Sequence, residues 1–181
     1  MTVLHWIVGY LTFPAALLRA FLEHIFLKAA HVPVEDTDYM QKNELFGHVE
    51  HKPVSELGKS FCVSFLPGLI LFLSGAVLLA VSGTQLFYLG LTPVDVRTGK
   101  VSVLFIVSVV LFYLGASLCS RMFPTYEDAL YLWEAYTESD SKAAKILLFL
   151  PVVLLRAGAF LERFCLWTLC IAAASVILFL M

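Results

Sequence analysis

The chain has 181 residues, of which 60% are hydrophobic and only 14% charged, with a formal net charge of −2 and a mean hydropathy of +0.88. Soluble domains run at about 45–50% apolar and about 25% charged, so this balance excludes an ordinary water-soluble domain and points to bilayer-crossing helices. The near-neutral charge, with no basic arm or aromatic–basic patch, gives no ground for a nucleic-acid partner. The length allows one compact bundle.

The first apolar segment, 3–30, is interrupted by Pro14 and carries Arg19, Glu23, His24 and Lys28 in its second half. It lacks a basic region ahead of the apolar stretch and a small-residue cleavage site, so it reads as a retained helix. A polar stretch follows, 31–59, with Glu35, Asp36 and Asp38 and several lysines. The next span, 60–81, is free of charge and is predicted to bend at Pro67-Gly68. A glycine-bearing loop over 82–100 leads to a third span, 101–120.

The second polar stretch, 121–144, opens on Phe123-Pro124-Thr125-Tyr126-Glu127-Asp128. Thr125 followed by Asp128 predicts a helix N-cap with acid in the first turn, and Trp133 and Tyr136 would share one interfacial face of that helix. The last segment, 145–181, holds two apolar pieces separated by Arg156, Glu162 and Arg163. Ile146–Leu155 is expected to be short or re-entrant and Phe164–Met181 to be the span. The predicted fold is an all-α membrane bundle of about four spans plus one short or re-entrant helix, with five spans as the alternative. The four cysteines, Cys62, Cys119, Cys165 and Cys170, form no CxxC pair and read as reduced, buried or lipid-facing groups.

Lys28, Lys42, Lys52 and Lys59, with Arg121, Lys142 and Lys145, outweigh Arg97 and Lys100 of the 82–100 loop. The positive-inside rule then places both larger polar stretches in the cytoplasm. Whatever the sign, alternating spans put 31–59 and 121–144 on the same face, where they can build one site.

An ionisable group at the bilayer centre costs roughly 2.5–3.5 kcal/mol, so charges inside apolar segments face the bundle interior, water or a partner, or snorkel to the interface. Arg19 and Glu23 are i,i+4 and can pair on one helix face. Arg156 and Glu162 are six apart and are expected to meet charges on other helices. The wording recurs: Pro14-Ala15-Ala16-Leu17-Leu18-Arg19 is echoed by Pro151-Val152-Val153-Leu154-Leu155-Arg156, and Phe21-Leu22-Glu23 by Phe160-Leu161-Glu162. In Gly47-His48-Val49-Glu50-His51, two histidines three apart can share a metal on a helix, with His24, His31, Glu35, Glu44 and Glu50 nearby. In an extended strand they would point to opposite faces.

These segments resemble a group of small multi-pass membrane metallopeptidases similar to the site-2 protease class. Phe13 to Lys28, running into His31-Val32-Pro33-Val34, looks like their first zinc-binding helix. Gly47-His48-Val49-Glu50-His51, Pro67, and Phe123-Pro124-Thr125-Tyr126-Glu127-Asp128-Ala129-Leu130-Tyr131-Leu132-Trp133 follow in the family's order. In that register the HExxH motif is replaced by Arg19-Ala20-Phe21-Leu22-Glu23. Both histidine ligands and the general-base glutamate are absent, whereas Asp128 matches the family's late aspartate. Zinc hydrolysis needs imidazole ligands and a carboxylate base, so the resemblance implies a degenerate, non-catalytic member in the cell membrane, expected to be bacterial. It would bind a partner protein, peptide or lipid in a cytoplasmic polar cleft of Arg19, Glu23, Arg121 and Asp128, with His48 and His51 beside them. Arg19 would take the metal's place and pair with Glu23 or Asp128, and Arg19 and Arg121 would receive a carboxylate or lipid phosphate. In this reading there is no cofactor. The alternatives are a metal-dependent membrane hydrolase with displaced zinc ligands, drawn from His24, His31, His48, His51 and Asp128, and a subunit of an oligomeric transporter or channel.

Overall fold

A computed structural model describes residues 2–36, 39, 48–94 and 102–180. Among the described residues the structure is 78% helical, with seven α-helices and almost no sheet. They are α1 (Thr2–Leu11), α2 (Phe13–Ala29), α3 (Leu57–Gly83), α4 (Val103–Ser120), α5 (Tyr126–Glu138), α6 (Lys142–Arg163) and α7 (Leu166–Leu180). A π-helical turn, Thr84–Tyr88, extends α3. Two short strands, β1 (Val34–Asp36) and β2 (Glu50–His51), pair antiparallel between α2 and α3, an element the sequence did not suggest. Gly47 and Glu44, and the charged residues Asp38, Lys42, Arg97 and Lys100, lie outside the described residues.

The first apolar segment is two helices. α1 and α2 meet at 90° about Thr12. Pro14 stands in the first turn of α2, where its missing N–H needs no partner, but it cannot continue the hydrogen-bond ladder of α1. Thr12 closes α1 by donating its hydroxyl to the Val8 carbonyl at 2.8 Å, and the Arg121 guanidinium holds the same oxygen through Nε (3.0 Å) and Nη2 (2.9 Å).

Among the described residues, three helices are long and apolar enough to cross a membrane: α3 with its π extension, α4 and α6. A fourth would be the bent α1–α2 pair taken together. In the last segment the lengths are the reverse of the expectation. α6 runs unbroken for 22 residues through Pro151, Arg156 and Glu162, and α7 is the shorter piece at 15. α6 keeps its cation because Arg156 lies over the Trp133 ring of α5, 4.4 Å from its centroid, instead of in hydrocarbon.

Burial in these helices is inverted relative to a soluble bundle. Ser60, Ser64, Ser82, Ser108, Ser117 and Ser120 are buried, whereas Leu73, Val77, Val103, Ile106, Ile146 and Leu150 face outward. Small residues inside and large aliphatic ones outside is the arrangement that lipid as solvent selects, and it is consistent with a membrane protein. α3 and α4 touch backbone to backbone. A Cβ on Gly75 would stand 2.8 Å from the Gly115 carbonyl, and one on Gly115 would stand 3.0 Å from that of Gly75. α5 packs against α3 and α6, with Leu132 in a cluster containing Leu57, Val152 and Leu155.

Candidate metal centre

Two helices and one arm of the chain bring four ligand-type side chains together. Glu23 comes from the buried face of α2, two turns after Ala15 and Ala16, which are themselves fully buried. Asp128 comes from the first turn of α5, which Thr125 caps by accepting the Asp128 N–H at 3.2 Å, as the sequence predicts. His48 and His51 come from the arm leading into and through β2. One ligand atom from each of Glu23, His48, His51 and Asp128 lies within 4.8 Å of all the others. Glu23, His48 and Asp128 are all less than 5% exposed.

The expectation that an extended segment would splay the two histidines does not hold. His48 and Val49 precede the strand, so regular alternation does not run through them. A bulge in β1, where Val34 pairs with His51 and Asp36 with Glu50, further perturbs the register. The two imidazoles converge with ring centroids 5.9 Å apart.

Within the group, His48 Nδ1 is 2.9 Å from Glu23 Oε2 and 3.6 Å from Asp128 Oδ2. His51 Nε2 is 3.1 Å from Asp128 Oδ1. Val49 N–H donates to Glu23 Oε2 at 3.3 Å. His51 Nδ1 lies 2.8 Å from the Lys52 carbonyl, which can only accept, so Nδ1 carries a proton and a neutral ring turns its Nε2 lone pair toward the carboxylate. A lone pair facing a carboxylate needs a cation between them, either a proton or a metal. A backbone carbonyl that fixes the far nitrogen of an imidazole is also the usual support of a metal-bound histidine.

The electrostatics follow from the same geometry. Burial opposes charge on His48, but Asp128 and Glu23 outweigh it and raise its pKa to about 9. His51 is also raised: burial lowers it, and the hydrogen bond to Asp128 and that carboxylate's charge more than compensate. Asp128 is held far below the usual carboxylate range despite burial, through the charges of His48 and His51 with Arg19 behind them. Without a metal, two imidazolium protons neutralise two carboxylates. A divalent ion supplies the same charge while leaving the imidazoles neutral.

The donor set fits such an ion. Two imidazole nitrogens and two carboxylate oxygens are all ligands of a tetrahedral zinc-type centre, which places donors about 3.4 Å apart. Asp128 Oδ2 is buried with no hydrogen bond among the described residues, as a metal-directed lone pair would be.

Of the other candidates, His24 and His31 lie outside the group. His24 Nδ1 contacts the Tyr39 hydroxyl at 3.0 Å, and His31 is exposed beyond the end of α2. Arg19 does not take the metal's place and pair with Glu23 or Asp128. It is 3% exposed, and its Nη1 donates to the Arg121 carbonyl at 2.8 Å and to the Phe123 carbonyl. Both carbonyls follow the C-terminus of α4, the negative end of that helix. Arg121 reaches Thr12, as above. Among the described residues, neither arginine has an ion-pair partner within 4.0 Å.

Beside the centre lies a cavity of about 280 Å³, whose wall includes Arg19, His48, Arg121, Glu127, Glu162 and Arg163. Glu162 accepts the Thr168 hydroxyl at 2.8 Å. Sequence reasoning noticed Glu162 but did not connect it to Arg19, since nothing in the spacing tells that the end of α6 and Arg19 line one cavity. It also passed over Glu23 as a ligand. The available signal was chemical: glutamate stands where the resembled motif has its second histidine, and carboxylate can replace imidazole on zinc.

The chain matches no protein-family model, no curated protein and no solved structure.

Proposed function

We propose that this protein is a metal-binding membrane protein on a metallopeptidase-like scaffold, holding a divalent ion of the zinc type through Glu23, His48, His51 and Asp128 and using its cleft to bind rather than to cleave. One observation carries the reading: four ligand groups, with Glu23, His48 and Asp128 buried and His51 partly so, converge from α2, α5 and the β2 arm, an arrangement that costs far more than it returns unless a cation neutralises it. The departure from the motif supports the non-hydrolytic half. Ala20, fully buried, occupies the position of the general base, and in this reading all four carboxylate and imidazole groups of the centre serve as ligands, leaving none as a base. A site with four protein ligands is of the closed, structural kind. The positive-inside rule puts the centre at the cytoplasmic face of a cell membrane, bacterial by the same expectation as the resemblance.

The test is metal content. The purified full chain should carry one divalent ion, and His48→Ala or Asp128→Asn should lose it while helicity is kept. A wild-type protein that takes up no zinc, cobalt or iron and shows no thermal shift on adding them would overturn the reading.

A second reading, a metal-dependent hydrolase with displaced ligands, draws on the cavity that reaches His48, with Glu127 and Glu162 in its wall as carboxylates in place of the lost base. Cleavage of a membrane-tethered peptide by the metal-loaded protein, abolished in Glu162→Gln or Glu127→Gln, would favour it over the binding role.

A further inference from the structure

The cavity beside the metal centre is lined with more cationic groups than the fold uses. Arg19 is 3% exposed and lines the cavity, and only its Nη1 is spent on backbone carbonyls. Its Nη2 is buried with no hydrogen-bond partner among the described residues. An unsatisfied donor on a buried guanidinium is more costly than the about 1–3 kcal/mol of a neutral group, so this nitrogen calls for an acceptor. Arg121 and Arg163 line the same cavity, against the two carboxylates of Glu127 and Glu162. None of the three arginines has an ion pair within 4.0 Å among the described residues. The first turn of α5 forms another part of the wall and adds the positive end of a 13-residue helix.

An anion is therefore the matching ligand, and the surroundings say what carries it. Arg163 stands in the last turn of α6, exposed, with its guanidinium 4.6 Å from the centroid of the Tyr126 ring. Tyr126 is shared between the cavity and an adjoining groove walled by Trp133, Val153, Ala157, Phe160 and Leu161, with Arg156 held over the Trp133 ring as its one charged member. That groove runs along α6, a candidate span, so an acyl chain has an apolar track from the lipid to the arginines. A space of about 280 Å³ is several times the roughly 30 Å³ share of one water and accepts a headgroup.

We propose that the cavity binds the phosphate of an anionic phospholipid, with Arg19 Nη2 as the buried donor, Arg121 and Arg163 as the flanking cations, and the tail in the groove along α6. This narrows the ligand of the proposed cleft to one chemistry, and it does not depend on the metal.

The test is native mass spectrometry of the full-length protein in a neutral detergent, titrated with short-chain phosphatidylglycerol, short-chain phosphatidylcholine, inorganic phosphate, or a peptide with a free C-terminal carboxylate. One phosphatidylglycerol should bind per chain, about tenfold more tightly than phosphatidylcholine. Arg163→Gln, at an exposed position, should weaken it about tenfold. Arg19→Met should abolish it, and Lys59→Gln, a distant surface charge, should leave it unchanged. Glu23→Gln separates the two ideas, because it should lose metal and keep lipid. No preference for the anionic lipid, equal binding in Arg163→Gln, or displacement of the lipid by equimolar phosphate or peptide would each overturn the proposal. Displacement by phosphate would mean that the site takes a free anion, and displacement by the peptide that it takes a chain terminus.

Discussion

Pro14 to Glu23 on α2 and Pro151 to Glu162 on α6 share most of their wording, yet the two stretches meet different surroundings. On α2, Arg19 and Glu23 are both buried, the arginine on the carbonyls beyond α4 and the glutamate against His48. On α6, Arg156 is half-buried over Trp133, and Glu162 accepts a hydroxyl from Thr168. The difference is two residues. Gly158-Ala159 lies between Arg156-Ala157 and Phe160 with no counterpart on α2. At about 100° per residue, a spacing of four leaves arginine and glutamate roughly 40° apart on the helix, whereas six turns them roughly 120° apart. The α2 pair thus serves one interior with both charges, and the α6 pair is shared between the α5 face and the cavity. Gly158 has a second use, because a Cβ there would lie 2.0 Å from the Phe123 ring. Its absence lets the loop that receives Arg19 pack down on α6.

The contrast can be broken most strongly at the two glutamates. Glu23→Gln should lower zinc affinity by more than about 100-fold, measured by competition with a chelating dye, whereas Glu162→Gln should leave zinc content unchanged. Equal effects would mean that the repeat, and not the α2 spacing, makes the site. The arginines come next. Arg19→Met strands two carbonyls and should cost about 3 kcal/mol in reversible unfolding in detergent micelles. Arg156→Met loses only a cation–π contact, about 0.5–1 kcal/mol.

A smaller effect sharpens the electrostatic half. In metal-free protein the raised His48 contributes stability that is full below the unfolded value of about 6.5 and lost as pH climbs through about 9. The depressed Asp128 contributes above about 4 and loses its share as pH falls. Thermal stability of the metal-free form should therefore peak near pH 5–6 and decline toward pH 9. With zinc bound, stability should rise over that range, because protons no longer compete for the imidazoles. Parallel curves for the two forms would show that the histidines do not ligate.

Much of this was legible beforehand, and for physical reasons. The helical class follows from apolar runs, the α5 cap from Thr125 and Asp128, and the meeting of the two polar stretches from alternating spans. The rest depends on contacts made far along the chain. The right angle at Thr12 needs the Arg121 guanidinium from 109 residues away, and the unbroken α6 needs Trp133 beneath Arg156. Glu23 as a candidate ligand is visible only through ligand chemistry, since a carboxylate can stand where the motif has an imidazole. Convergence of His48 and His51 depends on an irregular lead into β2 that residue spacing does not encode.

The glycine contact between α3 and α4 has a consequence at some distance. Six residues, about 9 Å of helix, separate Gly115 from Arg121, whose carbonyl receives Arg19. Where two backbones come this close, with only the Leu79 and Cys119 side chains beside the contact, little is left to absorb a misfit, and the seat of Arg19 is held to a tolerance in the machinist's sense. One methyl group added at Gly115 would act as a shim, tilting the far end of α4 and misaligning the guanidinium without touching a ligand.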